Sequence, residues 1–403
     1  MRNALSPLWQ DSALRLVVLI LFLAGAQISS LAPYLSFIAI TRLGFSDQSY
    51  SLILILSSLV SLSSAVAIGI VTDQYPLRRQ MALLSSALVI LGTAVMWLWP
   101  SKFGFILSHT LLLPCGFTIF VLVFALSHLA SQPYPQSRDV ILSAIRASFA
   151  LPFVVVLPLW AWALNSGADV MMIYPFGVVI AALSLALVWR SWPKDGAQNW
   201  RDAKSGITFF DSLREMAEPR VLLRVVLLGA VASAMTLYIV LVGLVFTQTP
   251  GRGTSDAALF VGLVAGAEVP FMLAVPLLLG RNSKVVFIAL GTLIYAIHLV
   301  SLPLIAGSGW VWLLILPASL GGAIMLTLPI AYLQDLLAAR PGAGSSLMSV
   351  QRVAGDTFCA ACFALGTYLS GYALAAALGA ILCIAGGFGL LWADRRPPTS
   401  KVR

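Results

Sequence analysis

Four ionisable residues are the clear cases of charge well inside otherwise apolar runs of this sequence: Arg146, Glu268, Arg352 and Asp356. A charge in an apolar surrounding is costly unless a partner or water faces it, so such residues mark places where charge is used. Glu268 follows Gly262, Gly266 and Ala267 and precedes Pro270, a small-faced stretch with room for another group to approach. No residue of opposite charge is near it in sequence. A carboxyl held out of water can change its protonation with what faces it, which is the chemistry of proton coupling. A structural carboxyl paired to Arg146 is the competing reading, and the two are compatible. Arg352 and Asp356 are four apart, share a helix face and can pair directly. Such a pair either holds its helix in register, or opens to a substrate or proton in one state and closes in another. Glu268 and Asp356 are thus the candidates for proton coupling.

Neutral polar residues lie in the same apolar runs: Gln27, Tyr34, His109, Tyr238, His298, Tyr332, Gln334 and, beside Arg352, Gln351. Amides and phenols bind hydroxyl-rich ligands, and they also tie helices together. Gln27, Tyr238, Gln351 and Arg352 are candidates for a substrate path on that chemistry. Trp160 and Trp162 could stack on a sugar ring or anchor a helix end. Cys359 and Cys362 form a C-x-x-C without a second pair or a histidine, so neither a metal nor a cofactor is expected.

The elements that must position these residues follow from composition. The chain has 403 residues, 60% apolar and 10% charged, with a mean hydropathy of +0.96. A soluble domain is roughly a quarter charged. A soluble enzyme, a disordered chain, a disulfide-stapled secreted domain and a nucleic-acid-binding module are therefore excluded. An all-α membrane protein remains, with a small molecule rather than nucleic acid as its partner. Apolar stretches run over 14–41, 50–72, 79–99, 104–130, 140–165, 169–192, 222–247, 255–280, 284–306, 309–336, 345–370 and 372–393. Each meets the ~20 residues a bilayer crossing needs, which predicts twelve transmembrane helices. The first run continues past the length of a signal peptide's core and reads as a crossing.

The one long polar stretch, 193–221, divides the helices six and six, giving halves over 1–192 and 222–403. Residues 208–218 within it read either as a surface helix or as plain tether. With both termini on one side, nineteen of the 24 Lys and Arg lie at the termini or in loops of that side, and only Arg42, Lys102 and Arg252 lie opposite. That bias places both termini in the cytoplasm. Two six-helix halves joined by a cytoplasmic loop are the layout of secondary transporters that work by alternating access.

A resemblance adds to this. The stretch Gly69-Ile-Val-Thr-Asp73-Gln74-Tyr-Pro76-Leu-Arg78-Arg79 is similar to motif A of the major facilitator superfamily, with Gln74 in place of a basic residue and Pro76 in place of a glycine. Gly69, Asp73, Arg78 and Arg79 keep the pattern, which the resemblance makes a cytoplasmic gate. The equivalent turn of the second half, 280–284, carries no acid. Within the superfamily the chain resembles the bacterial sugar efflux transporters. The similar pieces are Leu237-Tyr238-Ile239, Gly262 through Met272 around Glu268 and Pro270, Tyr332-Leu-Gln334-Asp335, Pro341 through Ser345, Ser143 through Ala147 around Arg146, and the first crossing around Gly25 and Pro33. The fifth crossing keeps Pro158 but lacks the glycine before it. The resemblance implies a pseudo-symmetric major facilitator fold and proton-driven export of small sugars or glycosides across the inner membrane by a monomer. It adds Arg146, Gln334 and Asp335 to the transport path. An exporter of drugs, siderophores or amphiphilic metabolites, or a transporter-like receptor, are the alternatives.

Overall fold

The computed structural model describes residues 6–194, 218–279, 283–336 and 341–394, and every regular element among them is helical. After a short turn at Pro7–Gln10 come α1 (Ser12–Leu31), α2 (Asp47–Gln74), α3 (Arg78–Leu98), α4 (Lys102–Ala130, in several segments), α5 (Arg138–Asn165), α6 (Ile173–Ser191), α7 (Pro219–Gln248), α8 (Thr254–Leu279), α9 (Lys284–Ile305), α10 (Ile315–Leu336), α11 (Pro341–Leu369) and α12 (Tyr372–Asp394). Each apolar stretch expected from the sequence falls on one of them. Among the described residues eleven are long and apolar enough to cross a membrane. The other is α11, the helix that carries Arg352 and Asp356. Of the stretch expected to join the halves, residues 195–217 lie outside the described residues.

Helix starts are set locally. The Asp11 carboxylate accepts from the N–H groups of Ala13 and Leu14 at 2.8 and 3.1 Å and caps α1, satisfying donors that the first turn leaves without a helical partner. Ser101 does the same for α4 through Gly104 N–H, at 3.0 Å. The sharpest turns use glycine in the left-handed region: Gly44, Gly167, Gly251 and Gly371 have φ of 70°, 94°, 77° and 125°. They lie in the α1–α2, α5–α6, α7–α8 and α11–α12 connections, where a Cβ would be strained.

The chain forms two compact units. One holds the described residues of 6–46, 56–194 and 254–262, the other those of 47–55, 218–253 and 263–394. In the first, α1 packs on α5 and α6, and α3 on α6. In the second, α7 packs on α11 and α12, and α9 on α12 and α10. In the spans of α1 and α7, 67% of the most apolar stretch is buried within the protein, the highest share among the eleven, against 11% in α2. Both use glycine for close approach. A Cβ at Gly25 of α1 would collide with the Phe149 carbonyl oxygen of α5. One at Gly229 of α7 would lie 2.7 Å from Ala354 Cβ and 3.2 Å from Gly355 N of α11.

Candidate functional site

In the second unit the α8 backbone carries Glu268 toward α10. A Cβ built at Gly322 of α10 would collide with Glu268 Oε1, so the carboxyl occupies the space where most residues would place a side chain. The phenols of Tyr238 on α7 and Tyr295 on α9 lie within electrostatic reach of Glu268. Those two rings and His298 form a buried edge-to-face cluster. Tyr238 stands 6.4 Å from Tyr295 and 4.8 Å from His298, centroid to centroid, and Tyr295 5.4 Å from His298. Among the described residues Glu268 has no ion-pair partner.

The Arg352–Asp356 pair forms, but loosely. Nε and Oδ2 are 3.9 Å apart, with the arginine side chain 78% exposed and the aspartate 20%. Arg352 is therefore not enclosed in the bundle, because its long stem carries the head outward from the face it shares with Asp356. Thr236 on α7 donates to Asp356 Oδ1 at 3.4 Å. Gln351 Nε2 donates to the Leu228 carbonyl on α7 at 3.4 Å, which ties α11 to α7.

The first unit places the remaining candidates separately. Arg146 is exposed on α5, within electrostatic reach of His128 on α4. Gln27 is 2% exposed, and neither of its amide atoms has a hydrogen-bond partner among the described residues. Its Nε2 would lie 2.7 Å from a Cβ at Gly177, so α6 closes over it. Trp160 donates from Nε1 to Ser30 Oγ at 2.9 Å and links α5 to α1, while Trp162 is exposed. His109 pairs with the Tyr174 hydroxyl at 3.0 Å. Between α1 and α2, Arg42 forms an exposed 2.8 Å salt bridge with Asp169. The Met171 N–H together with Arg42 holds the Asp169 carboxyl below the usual carboxylate range against partial burial.

At the turn between α2 and α3, Arg79 donates from Nη2 to the Trp189 carbonyl in the last turn of α6, at 2.8 Å. A cation there suits the negative end of the helix. A Cβ at Gly69 would meet nothing within 4 Å among the described residues. Gly69→Ala should therefore raise thermal stability slightly, by up to ~1 kcal/mol from helix propensity; a loss of stability would show that the glycine serves packing. The side chains of Asp73, Gln334 and Asp335 lie outside the described residues.

One ionic cluster was not legible in the sequence. Arg224, grouped there with the loop cations, is buried on α7. Its Nε lies 3.5 Å from Asp394 Oδ1, with side-chain exposures of 7% and 40%. Its Nη2 donates to the Ala393 carbonyl at 3.2 Å, and Tyr332 donates to Asp394 Oδ1 at 2.9 Å. The cluster joins α7, α10 and α12. Asp394→Ala leaves the guanidinium buried without its carboxylate and removes the acceptor of the Tyr332 hydroxyl, at an expected cost of about 2 kcal/mol after allowance for the exposed carboxylate. Thermal unfolding in detergent measures it, and an unchanged midpoint would contradict the assignment.

Comparison with known proteins supplies the family, for residues 17–357 match the Major Facilitator Superfamily. The chain belongs to that superfamily. This major facilitator protein is 26% identical over 395 residues to a Deinococcus radiodurans protein named "Putative sugar efflux transporter", covering 94% of this chain and 98% of the relative. Among solved structures it superposes on the nucleoside transporter NupG with a TM-score of 0.79 at 11% identity, covering 96% of this chain and 100% of that one. The peptide transporter POT in complex with sulfate gives 0.76 at 15% identity, covering 95% and 94%. These likenesses show the fold. The major facilitator chain is a multi-pass membrane transporter for a small molecule and not an enzyme.

Proposed function

We propose that this protein exports small sugars or glycosides from the bacterial cytoplasm in exchange for protons, by alternating access between six-helix halves over 1–192 and 222–403. The observation that carries the proton part is Glu268, a carboxyl midway along an apolar span, without an ion-pair partner among the described residues and seated against Gly322 within reach of two buried phenols. Protonation from outside opens the ligand site, and deprotonation toward the cytoplasm restores it. Asp356, held by Thr236 and by a loose contact to Arg352, is the second proton candidate. Arg146, Tyr238, Gln334, Asp335, Gln351 and Arg352 line the path, with Gln27 joining when α1 and α6 part. Gly69, Asp73, Arg78 and Arg79 form the cytoplasmic gate.

The sugar class is supported by the name of the Deinococcus relative and by the similar pieces around Glu268 and Gln334. Two matched features support the six-plus-six division. The left-handed glycines fall in corresponding connections, and α1 and α7 make corresponding contacts. The basic bias of the loops supports placing both termini in the cytoplasm and the protein in the inner membrane.

Proteoliposomes with an imposed pH gradient and a panel of labelled mono- and disaccharides and alkyl glycosides test the proposal. At least one should accumulate against its gradient only while the pH gradient persists. Flux of none of them, or flux indifferent to the gradient, would overturn it.

A further inference from the structure

The neighbouring glycines Gly321 and Gly322 face different groups. A Cβ at Gly321 would lie 2.9 Å from the Tyr295 backbone nitrogen and 3.0 Å from the Gly291 carbonyl oxygen. That glycine lets the α9 and α10 backbones approach. At Gly322 the obstructing atom is the tip of a side chain on another helix, Glu268 Oε1 on α8. Glu268 Cδ would be 3.3 Å from that Cβ, and the nearest atom of any other residue, Tyr295 Cε2, 3.6 Å, an ordinary contact. Backbone crowding therefore does not account for Gly322, and the carboxyl does.

We infer that Gly322 is the positioning residue for Glu268: the side chain it lacks leaves a slot in α10 that seats the carboxyl beside Tyr238 and Tyr295 and selects an acid of glutamate length. The inference rests on Glu268 being the proton-coupling group. Among the described residues, the titratable groups that the other elements bring near the carboxyl are phenols, Tyr238 from α7 and Tyr295 from α9, with His298 beyond them in ring contact with both. On α10, Ser319 one turn earlier donates to the Val264 carbonyl of α8 at 3.1 Å, and Gly322 itself offers only backbone. A methyl group at 322 must displace the carboxyl, since well-packed interiors cannot absorb an added group in place. Aspartate, one methylene shorter, leaves room for that methyl.

The test is a double-substitution cycle with two readouts that need no substrate. The first is thermal unfolding in detergent. Gly322→Ala should lower the midpoint in the Glu268 protein and leave it nearly unchanged in the Glu268→Ala background, whereas Gly321→Ala should cost the same in both. Equal costs of Gly322→Ala in the two backgrounds would overturn the slot. If Gly322→Ala alone cannot be purified, recovery of folded protein by Glu268→Ala/Gly322→Ala supports it, and failure of both overturns it.

The second readout is labelling by dicyclohexylcarbodiimide, an apolar reagent. The O–H of a protonated carboxyl adds across its C=N bond, and the acyl group then migrates from oxygen to nitrogen, leaving a stable adduct read by intact mass. The rate of Glu268-dependent labelling at pH 7 should change at least about five-fold in Gly322→Ala, with a displaced pH profile, because an overpacked group leaves its place. Glu268→Asp/Gly322→Ala should recover at least half of that change. An unaltered profile in folded Gly322→Ala, or no recovery by aspartate, overturns the inference. Transport by Glu268→Gln separates the two layers, because proton-driven flux without Glu268 would remove its coupling role while leaving the slot geometry to the cycle.

Discussion

Glu268→Gln is expected to abolish substrate accumulation driven by a pH gradient while leaving the fold intact. Glutamine keeps the size of the side chain, so Gly322 can still receive it, but removes the proton that the exchange needs. A gradient of one pH unit is worth about 1.4 kcal/mol, and one-for-one exchange can therefore sustain a substrate gradient of about tenfold. In Glu268→Gln that ratio should collapse to about one. Counterflow, in which labelled substrate enters against unlabelled substrate without net proton movement, should persist. Loss of both activities with an unchanged melting temperature would make Glu268 a ligand contact instead of a coupling group. Accumulation at the level of the unsubstituted protein would sink the assignment altogether. Asp356→Asn provides the comparison. Because Asp356 already has Thr236 and Arg352 as partners, its amide should lower accumulation less than Glu268→Gln does.

The helices were legible because a bilayer demands long apolar runs, and composition announces those directly. α11 was the hard case for the same reason. Its charged and hydroxyl residues set it apart from the eleven helices that length and composition alone mark as spans. Glu268 was legible as a solitary acid, and the Arg352–Asp356 contact as an i, i+4 spacing. The environment of each was not. Gly322 and Tyr295 come to Glu268 from other helices, and nothing in local periodicity distinguishes Gly322, which faces a carboxyl, from Gly321, which faces a backbone. Exposure of Arg352 was likewise hidden, since spacing reports a shared face but not which way a long side chain turns. Arg224 shows the opposite error. Counting it with the loop cations was natural for a basic residue near a helix start, yet its partner Asp394 is at the far end of the sequence and the two meet only through the α7–α12 contact. Arg79 stood out as part of a charged turn, whereas its bond to the Trp189 carbonyl depends on how α3 and α6 pack.

Gly25→Val and Gly229→Val should each destabilise the protein by about 2 kcal/mol, and by similar amounts, since overpacking typically costs about 1–3 kcal/mol. At Gly25 the obstacle is the Phe149 carbonyl oxygen, a backbone atom that cannot rotate away, with Pro152 Cγ 3.1 Å from the same position. At Gly229 the obstacles are Ala354 Cβ and the backbone of Gln351 and Gly355. α1 therefore has to separate from α5, and α7 from α11. These are corresponding contacts if the chain is two copies of one six-helix plan, so equal penalties at the two sites are what that plan requires. The substitutions should also add without interaction, because each strains contacts within its own unit and the two share no obstructing residue. Thermal unfolding of the two single variants and the double variant measures both points, with Gly69→Ala as the control at a glycine whose added Cβ meets nothing within 4 Å among the described residues. A large penalty at Gly25 with none at Gly229 would show that the units do not share a plan. Strong coupling between the substitutions would show that the two crossings are not energetically separate, and either result would remove the physical basis for treating the chain as six helices plus six.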